Sequence, residues 1–237
     1  MCVKSNLPKS QSVVIALAAV FFSGCATGPA TIDTSPDAEV TFDGLHPVVG
    51  GTMDQAWARA DFDLSGYSKV MVQGAGVEFR PGGEKRRMRD TGPTGHYAVT
   101  VEQKERFRQQ MGTAFLDELS KSQNFTIVDE AGPDVLLVKG GLLDVVSYVP
   151  PEPVGRSEIY LSRIGEATLV LEIRDSVSDA ILLRAVDRRA AEQLGGQLSN
   201  SNTVTNSSEF RRVARRWAGL LRDGLDRFMV PEEVAAE

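Results

Sequence analysis

Residues 167–188, ATLVLEIRDSVSDAILLRAVDR, carry the alternation that decides the fold. Leu169, Leu171 and Ile173 fall on one side of an extended chain, and Thr168, Val170, Glu172 and Arg174 on the other. After Ser176–Asp179, Ile181, Leu183 and Ala185 take up the same rhythm. Two runs of this kind joined by a short polar turn predict an antiparallel hairpin with one buried face.

Working outward, the neighbouring segments supply the rest of a sheet and two helices. Asp134–Val149 is long and apolar, broken by Gly140-Gly141, and reads as a bulged or bent strand closed by Pro150-Pro151-Glu152-Pro153. Phe125–Val128 reads as a short strand. Tyr67–Phe79 reads as another, with Val70 and Val72 on one face and Met71 on the other. Within it, Gly74-Ala75-Gly76 is followed by no helix start, so a bulge fits better than a phosphate cradle. Residues 80–98 are a Gly/Pro-rich loop.

Thr100-Val101-Glu102-Gln103 fits a capping box, opening a helix to about Lys121 with Phe107, Met111, Ala114, Phe115 and Leu119 on its apolar side. Residues 190–208 are polar and read as a mobile connection. A final amphipathic helix is expected over Ser208–Met229. Phe210, Val213, Ala214, Trp217, Leu220, Leu221, Leu225 and Phe228 share one face, and arginines take the other. The expected class is α/β (α+β): a single mixed, mostly antiparallel sheet with two amphipathic helices packed mainly on one face.

The chain's 237 residues, 42% hydrophobic and 24% charged, are of ordinary globular composition, which excludes collagen-like and low-complexity classes. A net charge of −6 argues against nucleic acid as a partner. The N-terminus is different in kind. Lys4 and Lys9 precede an all-apolar run over residues 13–22, followed by Ser23-Gly24-Cys25. That is the pattern of a secretory signal peptide, and the run is too short to span a bilayer, which takes about 20 residues. Residues 1–24 are therefore expected to be a secretory signal peptide, whose removal takes out Lys4 and Lys9 and no acid.

Residues 25–60 are expected to be an acidic flexible tether. From Ala26 to Ala58 there is no Lys or Arg, while Asp33, Asp37, Glu39, Asp43 and Asp54 are spread among glycines and prolines. As free coil, 33 such residues would reach about 30 Å. Phe42 and Leu45 are the exceptions, apolar enough to dock onto the folded part. That leaves one domain over 61–230 and a short tail over 231–237.

Phe22-Ser23-Gly24-Cys25 resembles the bacterial lipobox, in which the Cys thiol is acylated and becomes the mature N-terminus. The same resemblance, with Ala26 rather than Asp after the Cys, implies sorting to the outer membrane. FDGL (42–45), DLSGYSKVMV (63–72), FTIVDEAGPDVLLVKGGLLDVV (125–146), GEATLVLEIRDSVSDAILLRAVDRRA (165–190) and WAGLLRDGLDRF (217–228) extend the likeness. Together they resemble bacterial lipoproteins grouped as domain-of-unknown-function 3313. The resemblance implies an envelope lipoprotein with Cys25 as lipid attachment site and supplies no activity. The element order also resembles small periplasmic lipoprotein domains that serve as accessories to envelope machines.

Catalytic signatures are missing from the sequence. The two histidines, His46 and His96, sit alone in Gly/Pro-rich stretches, and no H-E-x-x-H, C-x-x-C or G-x-S-x-G occurs, so neither metal nor cofactor is expected. Asp61-x-Asp63-x-Ser65-Gly66 opens like a calcium loop, but Val72 stands where the bidentate Glu belongs, so a turn is expected. Lys85, Arg86, Arg87 and Arg89 form the one basic run, a candidate contact for anionic head groups or an acidic partner. The leading expectation is a non-enzymatic, periplasm-facing lipoprotein of the outer membrane that binds a protein partner or an envelope component. Two others stand beside it: a subunit of an oligomeric transport or pore assembly, and a glycan hydrolase using two carboxylates about 5–9.5 Å apart.

Overall fold

The structure is a computed structural model describing residues 30–81, 96–150, 158–192 and 197–229. The hairpin read first from sequence is its centre: β8 (Arg163–Asp175) and β9 (Ile181–Glu192) pair antiparallel, with Leu169 opposite Asp187 and Leu171 opposite Ala185. Leu169, Leu171 and Ile173 are buried, as the alternation requires. The turn is built by Asp175, whose carboxylate accepts hydrogen bonds from the backbone of Val177 (3.2 Å) and Ser178 (2.7 Å) and from the Ser178 hydroxyl (2.6 Å). Asp179 takes the left-handed conformation (φ 57°), which short polar side chains tolerate, so the turn closes without glycine.

Around this pair the sheet grows in both directions. On one side lie β6 (Val135–Ser147), antiparallel to β8, then β4 (Lys69–Phe79), parallel to β6, then the two-residue β5 (Thr126–Ile127). The parallel β4–β6 pair is possible because α1 (Val101–Leu119) lies between them in the chain. On the other side of β9 come β3 (Gln55–Ala58), β2 (His46–Val49) and β1 (Thr31–Ile32), all antiparallel. A separate two-stranded ribbon joins β7 (Tyr160–Leu161) to β10 (Ser199–Asn200). The class is thus the expected one, a mostly antiparallel mixed sheet of eight strands with two helices.

Helix α1 starts where the capping box places it: Thr100 Oγ1 accepts from the Gln103 amide (3.2 Å), and Gln103 Oε1 accepts from the Thr100 amide (2.9 Å). Its Phe107, Met111, Ala114 and Leu119 are buried in one cluster with Val138, Leu142 and Leu169 of the sheet and with Ala214, Trp217, Leu221 and Leu225 of α2 (Thr203–Phe228). Each large apolar side chain in this cluster contributes about 1.5–3 kcal/mol, reckoned from an extended chain and so an upper figure. Edge-to-face rings join the layers: Phe79 to Phe107 at 5.5 Å and Phe107 to Phe210 at 5.1 Å between centroids.

Three expectations need correction. The stretch 25–60 is not a free tether throughout, because β1, β2 and β3 lie within it and β3 adds to the outer edge of β9. Leu45 is almost fully buried, Asp43 binds Arg184 (2.7 Å), and the Asp54 amide and carboxylate engage Asp187 (3.2 Å) and the Arg188 amide (2.8 Å). Phe42, by contrast, is 98% exposed and docks nothing. Second, α2 begins at Thr203 rather than Ser208, since Asn202 caps it by accepting from the amides of Val204 and Thr205, each at 3.0 Å. Third, the supposed mobile connection over 190–208 contains the end of β9, all of β10 and the first turn of α2.

Candidate functional site

Glycines from three elements meet beneath α1. In the parallel register Gly74 lies opposite Gly140 and Gly76 opposite Gly141, with a bulge at Ala75 as the sequence suggested. Gly112 faces them from the helix. Where side chains would otherwise fill the layer, a half-open cleft of about 320 Å³ remains, within the range of small-molecule sites. Its walls are Val77, Met111, Phe115, Leu142 and Leu169, and Arg108 also lines it. Among the described residues lining it, none is acidic.

Among the described lining residues Arg108 is the one charged group. Lys104, one turn before Arg108, holds its ammonium 5.2 Å from the centroid of the Phe79 ring. Arg108 touches Glu105 at 3.5 Å, with both side chains about half exposed, so that pair is screened and weak.

Other charged groups on the sheet are mostly matched. On the face away from the helices, Glu172 accepts from Arg174 (2.6 Å) and Arg184 (3.0 Å). Burial would push the Glu172 carboxyl up, but these two guanidinium groups hold it below the usual glutamate range. Asp144 accepts from Arg80 Nε (2.6 Å) and Arg188 (3.1 Å), and the Arg80 bond above all keeps its carboxyl low. Inside the core, the Trp217 indole N–H donates to Asp187 Oδ2 at 2.7 Å, Arg189 Nη2 donates to Oδ1 at 3.2 Å, and Asp187 is 2% exposed. A small half-open recess of about 10 Å³ nearby, with Glu166 and Arg189 in its wall, has room for one water at most.

The residues singled out from sequence fall as follows. Cys25 and the run Lys85, Arg86, Arg87 and Arg89 lie outside the described residues. His46 sits on β2 with Nδ1 3.1 Å from the Asp33 carbonyl, and His96 has Nε2 2.9 Å from the Pro81 carbonyl. Asp63 accepts from the Ser65 amide (2.8 Å) and hydroxyl (3.0 Å) while Asp61 pairs with Arg59 (3.1 Å), so this stretch is a turn. Among the described residues no group of three or more His, Cys, Asp or Glu is placed to hold a metal ion, and no helix is long and apolar enough to cross a membrane. Gly112 was the legible clue that sequence reasoning passed over, a glycine inside an otherwise helical pattern.

Fold and cleft define an α+β domain with one helix-covered sheet face. Residues 37–221 match the family described as "Protein of unknown function (DUF3313)", and the chain belongs to that family. No curated protein matches it. Among solved structures it is similar to a PelC dodecamer subunit from Paraburkholderia phytofirmans, at 10% identity and TM-score 0.34 over 70% of this chain and 96% of that one. A Xanthomonas campestris protein of the DUF330 family gives 11% and 0.34 over 72% and 93%. The hypothetical protein CT253 from Chlamydia trachomatis gives 10% and 0.31 over 65% and 98%.

Proposed function

We propose that this chain is a lipid-anchored domain of the bacterial cell envelope, held at the outer membrane through Cys25, facing the periplasm and working by binding rather than by catalysis. The observation that carries the reading is the ending Phe22-Ser23-Gly24-Cys25 behind a basic start and a ten-residue apolar run. Two or three acyl chains on one Cys would anchor it durably, since each buried CH₂ contributes about 0.8 kcal/mol. A binding role is favoured by the apolar cleft beneath α1, whose described lining offers no pair of facing carboxylates for glycan hydrolysis.

The strands found in the supposed tether sharpen the geometry. Only residues 26–30 separate Cys25 from β1, and five residues span at most about 18 Å at full stretch. The domain would ride close to the bilayer, and its partner or ligand would have to be reachable there. The test is Cys25→Ser in the native host. Mass spectrometry of the wild-type N-terminal peptide should show acyl mass on Cys25, and the variant should move from the outer-membrane fraction to soluble material or stay unprocessed. Wild-type protein without acyl mass, or a variant that still fractionates with the outer membrane after processing, refutes the anchor.

A further inference from the structure

The glycines around the cleft beneath α1 differ in what a side chain there would meet. Gly76 has φ 108°, which a side chain rarely tolerates. A Cβ on Gly140 would press Leu171 at 3.2 Å, and one on Gly141 would lie 3.4 Å from Ala75 Cβ. Gly74 and Gly112 differ: neither has positive φ, and a Cβ on either would meet nothing within 4 Å. Both carry the cost of glycine inside a regular element without a packing or backbone cause. What they have in common is the cleft, which any larger side chain at either position would begin to fill.

We propose that this cleft binds a single-chain fatty acid, its hydrocarbon between Met111, Phe115, Leu142 and Leu169 and its carboxylate at Arg108. The walls are hydrocarbon and aromatic, which suits an alkyl chain and offers little to a sugar or peptide backbone. Charge decides the head group. Lys104, Arg108 and Gly112 recur at every fourth position of α1 and share one strip of its surface; Arg108 and Gly112 line the cleft, and Lys104 lies one turn beyond. The described lining residues contribute no negative charge. Among the described residues Arg108 pairs with the exposed Glu105 at 3.5 Å, a screened contact weaker than a charge-assisted bond to a carboxylate in the cleft. This inference rests on the reading of the domain as a binding module but not on acylation of Cys25.

The test uses the full chain in phosphatidylcholine nanodiscs, photolabelled with a diazirine-bearing palmitic acid and, separately, with the matching fatty alcohol. Peptide mass spectrometry should place acid adducts mainly within residues 109–121, which hold Met111, Gly112 and Phe115. Gly112→Leu should abolish that labelling for both probes. Arg108→Glu, on an exposed side chain that leaves the core untouched, should lower acid labelling about tenfold and leave alcohol labelling unchanged, as loss of a charge-assisted contact implies. Adducts spread without preference for the cleft, undiminished labelling in Gly112→Leu, or equal loss of both probes in Arg108→Glu overturns the proposal. So does displacement of the acid probe by dioleoylphosphatidylglycerol as readily as by unlabelled palmitate, since a two-chain lipid would then be the ligand. Repeating the labelling with Cys25→Ser separates the two claims: cleft adducts retained there support the fatty-acid site whether or not the anchor exists.

Discussion

Replacing Asp187 by Ala should be the most costly single change in the core. The carboxylate is 2% exposed and serves three donors at once: the Trp217 indole, the Arg189 guanidinium and the Asp54 amide. Removing it strands Arg189, whose side chain is 22% exposed, beside an indole N–H left without its acceptor. Breaking a buried ion pair from one side costs about 3–5 kcal/mol. Against a typical domain stability of about 5–15 kcal/mol that is a large fraction. Trp217→Phe keeps most of the ring and loses one bond to a charged group, so about 1.5–3 kcal/mol is expected. Urea denaturation at pH 7 should show midpoints falling in that order with unchanged slope. The double variant should lose less than the sum of the two, because both delete the same bond. Hydrogen exchange should also quicken at Ala56 and Ala58, since Asp187 fastens the start of β3. A loss below about 1 kcal/mol for Asp187→Ala, or strict additivity with Trp217→Phe, would refute the claim that this group organises the core.

Other outcomes follow from particular contacts. Glu172 and Asp144 are held below their ordinary range in the folded state, so the stability they contribute is complete above the unfolded values of about 4.3 and 3.9 and is lost as pH falls through the folded ones. Urea midpoints should therefore drop between pH 5 and pH 3, and Glu172→Gln should flatten that drop. Gly112→Ala should raise stability by about 1 kcal/mol in the same assay, because helix propensity improves and the new Cβ meets nothing. Gly165→Ala should do the opposite by about 1–3 kcal/mol or more, since its Cβ would fall 2.5 Å from the Val146 carbonyl oxygen and 3.2 Å from Phe210. Asn202→Ala should cost about 1 kcal/mol and, by circular dichroism, fray the first turn of α2.

What sequence made legible was whatever is written locally. The β8–β9 hairpin announces itself by alternation, α1 by its Thr100–Gln103 box, and the bulge in β4 by Gly74-Ala75-Gly76. The N-terminal strands were hidden because they are two to four residues long, contain Pro47, and pair across great sequence distance, as Ala56 does with Ala185. The start of α2 was hidden because residues 203–208, Thr-Val-Thr-Asn-Ser-Ser, are weak helix formers that borrow stability from a cap. The cleft was hidden for a different reason. It is made of absent side chains brought together by the β4–β6 register, and neither Gly74 nor Gly112 hints at the other.

The attachment of β3 to β9 also sets an order of events. Residues 31–58 are made well before residues 183–186, whose backbone groups β3 must pair with. Until then those early strands have no native neighbour but one another. A two- or three-strand fragment so short is not stable alone. Assembly of this edge must therefore come late, once the β8–β9 hairpin offers a finished border for β3 to join.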